Sequence, residues 1–278
     1  MQEYDPALIA SLEEKARLLR RHVLKMTHAA RSGHPGGSLS CTDVITTLYF
    51  HVLNVDPKRP DWPERDRFVL SKGHAAPILY AALAEKGFIP VEELTTLRKL
   101  GSRLQGHPER GAVPGVEACA GAEGQGLSFG IGVALAARLD KNPARVYVLL
   151  GDGENDVGQT WEAVMAARHL KLDNLTVIID RNGLQQEGST ERIMGLEPLA
   201  EKWMAFRWRV IGVDGHDIRQ LLRAFDEAKA TRDRPTCILA VTVKGKGVSF
   251  MENIVKFHGS APTDDELKRA LAELGETS

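Results

Sequence analysis

Five apolar runs, each four to eight residues long, lie between residues 67 and 243, with helical patterns among the segments that separate them. They are RFVL at 67–70, RVYVLL at 145–150, LTVIID at 175–180, and the runs at 208–213 and 236–243. Their Val, Ile and Leu residues are nearly continuous, not alternating, which marks strands buried on both faces. Segments 75–86, 159–171 and 217–230 read as helices. Together these dictate an α/β fold, a mostly parallel sheet with helices on both faces. Such sheets bind ligands in the crevice beyond the carboxyl ends of their strands. The glycine, histidine and polar residues gather at those ends: Ser71-Lys72-Gly73-His74, Gly151-Asp152-Gly153 and Arg181-Asn182-Gly183.

Before the first run, residues 6–30 carry Leu8, Ile9, Leu12, Ala16, Leu19, Val23 and Met26 at spacings of three and four. That is an amphipathic helix opening after Asp5-Pro6. Segment 32–37, Ser-Gly-His-Pro-Gly-Gly, is expected to end it and to stay non-helical. A second helix is expected over 42–52, and an amphipathic one over 263–276 behind a Thr-Asp-Asp-Glu capping pattern. With no internal repeat, residues 1–278 read as a single domain with a helical N-terminal region and a C-terminal helix.

Thirty-six basic against 37 acidic side chains leave a formal charge of −1. No global basic field exists to hold nucleic acid or an anionic membrane, so neither is expected as a partner, and any anion is bound locally. Cys41, Cys119 and Cys237 form no CxxC pair and read as buried small residues of a reducing compartment. The N-terminus lacks the basic and apolar regions of a signal peptide, and no apolar run is long enough to span a bilayer. A cytoplasmic location is the expectation.

The strongest chemical signal is Gly151-Asp152-Gly153 after one buried strand, with Asn182 at the end of the next. Glycines let backbone N–H groups approach an anion. An aspartate and an asparagine carbonyl are hard oxygen ligands, suited to Mg²⁺ bound together with phosphate oxygens. Four histidines sit in glycine- or proline-containing loops: His34 in GHPGG, His74 in SKGHA, His107 in QGHPE and His258 in FHGSAP. Around one crevice they would donate to phosphate and hydroxyl groups or relay protons near neutral pH. His22, His28, His51, His169 and His216 fall in or beside helices and read as structural. Glycines at 121, 124, 126, 130 and 132 permit close approach to a ring system, or equally a tight helix contact. The lysines of Thr242-Val243-Lys244-Gly245-Lys246-Gly247 either meet phosphate or form a solvated turn.

GHPGGSLS, FVLSKGHA, QGHPE, the GQG segment, GDGE…GQTWEA, DRNGLQ and TVKGKGVSFMEN…HG occur in one order along nearly the whole chain. Together they closely resemble the N-terminal, diphosphate-binding half of a transketolase, a thiamine-diphosphate enzyme. The resemblance implies that Asp152, Asn182 and the backbone carbonyl of Leu184 hold Mg²⁺, or a divalent substitute such as Ca²⁺ or Mn²⁺. It places Gly153 at the cofactor diphosphate, with His74 and His258 beside it, and Glu154 and Lys244 are counted among the cofactor-binding residues. His34 and His107 would touch substrate, as would His258, and Gly121, Ala122 and Glu123 would lie along the thiamine ring. In that family the cofactor supplies carbanion chemistry, and a two-carbon ketol unit passes from a ketose, commonly a sugar phosphate, to an aldose. The glutamate that activates the aminopyrimidine lies in a pyrimidine-binding domain. A second, C-terminal transketolase-like subunit in an α2β2 assembly is therefore expected, with no ketol transfer by this chain alone.

Two positions depart from the family pattern. Transketolases typically read Gly-Pro/Ser-Leu-Gly-Gln-Gly where this chain has Gly121-Ala122-Glu123-Gly124-Gln125-Gly126, so a carboxylate replaces an apolar residue. The usual glutamate five residues after the metal aspartate is Val157, with Asp156 and Glu162 nearby. Both point to a substrate pair other than the common pentose phosphates. Two alternatives share the GDG…N pattern: the α subunit of a 2-oxo acid dehydrogenase or decarboxylase component, and a non-catalytic cofactor-binding partner.

Overall fold

The computed structural model describes residues 4–276; residues 1–3 and 277–278, the two ends of the expected 1–278 domain, lie outside the described residues. Each apolar run becomes a strand: β1 Arg67–Leu70, β2 Val146–Gly151, β3 Leu175–Arg181, β4 Arg209–Asp214 and β5 Thr236–Val241. All pair in parallel, in the order β1-β2-β3-β5-β4. The register sets Gly151 opposite Asp180 and Arg181 opposite Val241, so the polar ends of β2, β3 and β5 finish side by side.

The pleat sends alternate residues to two separate cores. Tyr147 and Leu149 of β2 enter one, while Val146, Val148 and Leu150 enter the other. The first is covered by α1 (Pro6–Ala30), α2 (Pro35–Ser40), α3 (Thr42–Thr47), α4 (Ala76–Lys86), and, further along the chain, two helices named below. The second is covered by α5 (Gln125–Leu139) and α6 (Gly158–His169). Beyond the short α7 (Thr190–Ile193), α8 (Leu199–Ala205) adds Leu199 and Trp203 to the second core. Helices α9 (Ile218–Ala230) and α10 (Asp264–Glu273) complete the first.

Helix α1 opens with Pro6 at its first position and the Asp5 carboxylate accepting from the Ala7 N–H at 2.8 Å. The capping pattern before α10 is realised reciprocally: Glu266 N–H donates to the Thr263 hydroxyl and Thr263 N–H to the Glu266 carboxylate. The expected helix over 42–52 is α3 continued by one π-helical turn, Leu48–Val52.

Two expectations are corrected. Segment 32–37 is not excluded from helices, because Pro35, Gly36 and Gly37 form the first turn of α2. Proline is tolerated at a first helical position, and tertiary crowding selects the glycines. A Cβ at Gly36 would stand 2.7 Å from the Phe257 carbonyl oxygen, and one at Gly37 would stand 3.0 Å from His74 Nε2. Second, Cys41 and Cys237 are buried as expected, but Cys119 is exposed. It lies in the irregular segment before α5, where its sulfur accepts only the Arg110 N–H at 3.4 Å. Among the described residues, no helix is long and apolar enough to cross a membrane.

Candidate active site

A cavity of ≈ 520 Å³ opens at the carboxyl ends of the strands, lined by Asp152, Gly153, Asn182 and Leu184 and by His34, His74, His107 and His258. Strand pairing delivers the first group and loop packing the second.

Asp152 follows β2 directly and is 3 % exposed. Its Oδ1 accepts the Gly153 N–H at 3.0 Å, and its Oδ2 accepts the Gly183 N–H at 2.7 Å and faces Arg181 Nη1 at 3.3 Å. Burial first, then the neighbouring Asp180 charge, push its carboxyl above the usual range, opposed by the Gly183 N–H, Lys72 and Arg181. Asn182 Oδ1 accepts the Leu184 N–H at 3.1 Å, and its Nδ2 donates to Asp180 Oδ2 at 3.1 Å. The Leu184 carbonyl accepts Lys244 Nζ at 2.9 Å.

Among the described residues, no group of three or more His, Cys, Asp or Glu is placed to hold a metal ion. Asp152, Asn182 and Leu184 offer one carboxylate, one amide oxygen and one carbonyl. That set is hard and incomplete, so it would suit Mg²⁺, which takes few protein ligands and fills the rest of its shell with phosphate oxygens and water.

The four loop histidines converge. Ring centroids lie 5.4 Å apart for His34–His74, 6.1 Å for His34–His107, 5.5 Å for His34–His258 and 5.1 Å for His74–His258. Burial dominates each ring's titration and disfavours the charged form, reinforced by nearby cations. It lowers His34 to about 4 and His258 to about 3, and holds His74 and His107 below the ordinary histidine value. All four are neutral at pH 7. His258 Nδ1 accepts from Lys244 Nζ at 2.8 Å, which leaves the ring proton on Nε2. His34 Nδ1 is buried without a hydrogen-bond partner. Lys244 is itself lowered to about 8, by burial and then Lys72, against the pull of Asp152 and Asp180.

Gly121 and Glu123 line the cavity, whereas the exposed Ala122 does not. Gly124, with φ +80°, is the N-cap of α5, a left-handed position that favours glycine. Its N–H donates at 3.0 Å to Glu154, whose carboxylate also accepts the Gly151 N–H at 2.8 Å and the Ser71 hydroxyl. Glu154 thus borders the cavity while its oxygens fasten three loops together. Of the two lysines near 244, only Lys244 reaches the cavity; Lys246 lies 3.7 Å from Glu252. Val157 and Asp156 line the cavity, and Glu162 is exposed on α6. His22, His28 and His216 pair with Glu85, Asp264 and Asp43 away from it.

The sequence reading missed the ion pair of the cavity-lining Lys72 with the buried Asp180, the lining residues Gln185 and Gln186, and Arg181 beside Asp152. An acid ending an otherwise apolar buried strand was the available signal for Asp180.

The family model described as "Transketolase, thiamine diphosphate binding domain" matches residues 12–277. An apulose-4-phosphate transketolase subunit from Phocaeicola vulgatus is 44% identical over 268 residues, 96% of this chain and 95% of that one. The 6-deoxy-6-sulfo-D-fructose transketolase subunit SqwG of a Clostridium species is also 44% identical, over 95% of this chain and 96% of that one. The solved transketolase from Leishmania mexicana superposes with a TM-score of 0.91 at 34% identity, over 96% of this chain but only 42% of that chain. This chain therefore spans almost the whole of the two subunits and about two-fifths of the longer enzyme. With fold and sequence in agreement along nearly its full length, the chain belongs to the transketolase family and matches its thiamine diphosphate-binding domain.

Proposed function

We propose that this chain is the diphosphate-binding subunit of a two-chain transketolase, moving a two-carbon ketol unit from a ketose, phosphorylated or otherwise anionic, to an aldose. The observation that carries the proposal is the cavity itself, which four neutral imidazoles line together with Asp152, Asn182 and Leu184. Sugar hydroxyls need several groups that both donate and accept. A 2-oxo acid does not, which favours this reading over the decarboxylase alternative.

Asp152, Asn182 and the Leu184 carbonyl would hold a divalent cation, and the Gly153 N–H beside Asp152 would favour a phosphate group in the cavity. Thiamine diphosphate held by these residues would supply the electron sink needed to break and remake a carbon–carbon bond. His258 presents its Nε2 proton to the cavity, because Lys244 occupies Nδ1. His34, His74 and His107, neutral at working pH, donate to or accept from substrate hydroxyls and relay protons between them. His34 Nδ1, already stripped of water, favours a ligand hydroxyl or amine as its partner.

A second chain carries the pyrimidine-binding domain and its activating glutamate, in an α2β2 assembly. Two relatives of nearly this length bear names that call them transketolase subunits. The three cysteines, all free, agree with work in the cytoplasm. The test is ketol transfer by the purified chain with Mg²⁺ and thiamine diphosphate, with and without the second chain. Activity only in the mixture is expected. Turnover by the chain alone, or none in a verified complex offered a panel of ketose donors and aldose acceptors, would refute the proposal.

A further inference from the structure

Asp180 is the last acid of β3, two residues before Asn182, and is 0 % exposed. Its Oδ2 accepts the Ser40 hydroxyl at 2.6 Å, the Lys72 ammonium, and Asn182 Nδ2 at 3.1 Å; its Oδ1 accepts the Thr242 hydroxyl at 2.5 Å. Lys72, 2 % exposed, also donates to the Gly37 carbonyl at 2.9 Å. One carboxylate thus joins α2, the loop after β1, and the ends of β3 and β5. A buried ion pair contributes little net stability over apolar residues of the same volume, so this pair asks for another role.

The two ends of an asparagine amide are nearly identical in shape and opposite in hydrogen bonding. A cation needs the oxygen. Two neighbours decide which end of Asn182 faces where, and they agree. The Asp180 carboxylate has only acceptors and takes Nδ2, while the Leu184 N–H is only a donor and takes Oδ1. The orientation follows from the chemistry of the neighbours, independent of how the two amide atoms are assigned.

We propose that Asp180 is a positioning residue for the cation site, holding the Asn182 amide so that its oxygen, not its nitrogen, is presented to the cavity. The inference rests on the reading of Asn182 as a cation ligand. Lys72 keeps Asp180 charged despite its burial, and Ser40 and Thr242 fix its plane. Asp180 does not line the cavity and acts through Asn182, as an outer hydrogen-bond partner orients a metal ligand.

The orientation is read first without metal, by NMR of the full chain labelled with ¹⁵N-asparagine, the Asn182 side-chain signal being identified by its loss in Asn182→Asp. A downfield, exchange-protected amide proton is expected; free-amide shifts with fast exchange would overturn the proposal. The second reading is Mn²⁺ affinity by EPR with thiamine diphosphate, in the protein assembled with its second chain. Asp180→Asn should weaken Mn²⁺ binding by about 10–100-fold, because an amide at position 180 lets Asn182 turn over. Combining it with Asn182→Asp should recover most of that loss, since a carboxylate presents oxygen whichever way it lies. A role limited to neutralising Lys72 predicts no such recovery. Unchanged affinity in Asp180→Asn, or a double variant no tighter than the single one, would overturn the proposal. Should Asp180→Asn fail to fold, the wild-type amide signal decides. Absence of diphosphate-dependent Mn²⁺ binding in the wild type would instead remove the cation reading, and the amide signal would still decide the orientation.

Discussion

The two walls of the cavity differ in how far their polar atoms are already engaged. On the wall built from the ends of β2 and β3, Asp152, Glu154 and Asn182, with Asp180 buried behind them, each hold two or more hydrogen bonds within the protein. On the wall built from loops, among the described residues, the one hydrogen bond to the four imidazoles is from Lys244 to His258. A saturated network in a low-dielectric interior is stiff and presents one fixed set of oxygens. Neutral imidazoles without partners adapt, each able to donate from one nitrogen and accept at the other. The stiff wall suits a ligand that is the same in every turnover, the cation and diphosphate. The adaptable wall suits hydroxyls that change as donor gives way to acceptor.

The contrast breaks most visibly at Asp152. Asp152→Ala removes the only carboxylate of the cation set and should weaken Mg²⁺-dependent thiamine diphosphate binding by roughly 100-fold or more. Unchanged affinity by calorimetry would remove Asp152 from the site. Next comes the stiffness of the same wall. A Cβ at Gly126 would stand 2.4 Å from the Ser71 hydroxyl oxygen and 2.8 Å from Ser71 Cα. Gly126→Ala should therefore destabilise the fold by about 1–3 kcal/mol, read as a lower midpoint in urea, and a wild-type midpoint would mean the wall yields.

On the adaptable wall, His107→Ala should lower kcat/KM of the assembled enzyme by about 10–100-fold and leave cofactor affinity within about twofold. A variant that mainly loses cofactor would place His107 on the wrong wall. Acid titration separates the walls differently. In the unfolded chain a histidine takes up its proton near pH 6.5, whereas His34 and His258 stay neutral down to about 4 and about 3. The unfolded state binds more protons in that window, so these rings make stability fall as pH drops from about 6.5 toward about 4. Asp152 and Glu154, whose carboxyls burial pushes up, contribute the opposite slope at the lower end. His34→Asn should make the stability profile flatter than wild type between pH 6.5 and 4.5, and identical slopes would mean His34 is solvated. The smallest effect is expected at Glu123, which lines the cavity without a hydrogen bond among the described residues. Glu123→Leu should shift preference among donor sugars by a few-fold while leaving cofactor affinity unchanged. Full activity on the common pentose-phosphate pair, with no gain in this variant, would remove Glu123 as a specificity element.

Much of the stiff wall was legible because strand burial leaves a plain trace. LTVIID and RVYVLL are apolar on both faces, and their polar ends fix where a ligand sits. The histidines were legible as loop residues around one crevice, but the burial that keeps their rings neutral was not, since it depends on packing between distant segments. Pro35-Gly36-Gly37 reads locally as a helix breaker; only Phe257 and His74, folded against it, explain why glycines continue a helix there. Lys72 and Asp180 each read as a polar residue at the end of a buried strand, not as partners. They are 108 residues apart, and burial of the pair is visible only in the fold. Lys244 and Lys246 look equivalent in TVKGKG. The left-handed turn at Gly245, φ +84°, sends one to the cavity and the other toward Glu252.

The stiff wall is tested most directly by calorimetric titration of thiamine diphosphate into the assembled protein, with Mg²⁺ and after EDTA treatment. Binding should be restored by Mn²⁺ or Ca²⁺, compete with inorganic diphosphate, and weaken by at least about tenfold without a divalent cation. Affinity untouched by EDTA, together with no competition from inorganic diphosphate, would contradict a cation-bridged diphosphate at Asp152, Asn182 and Leu184.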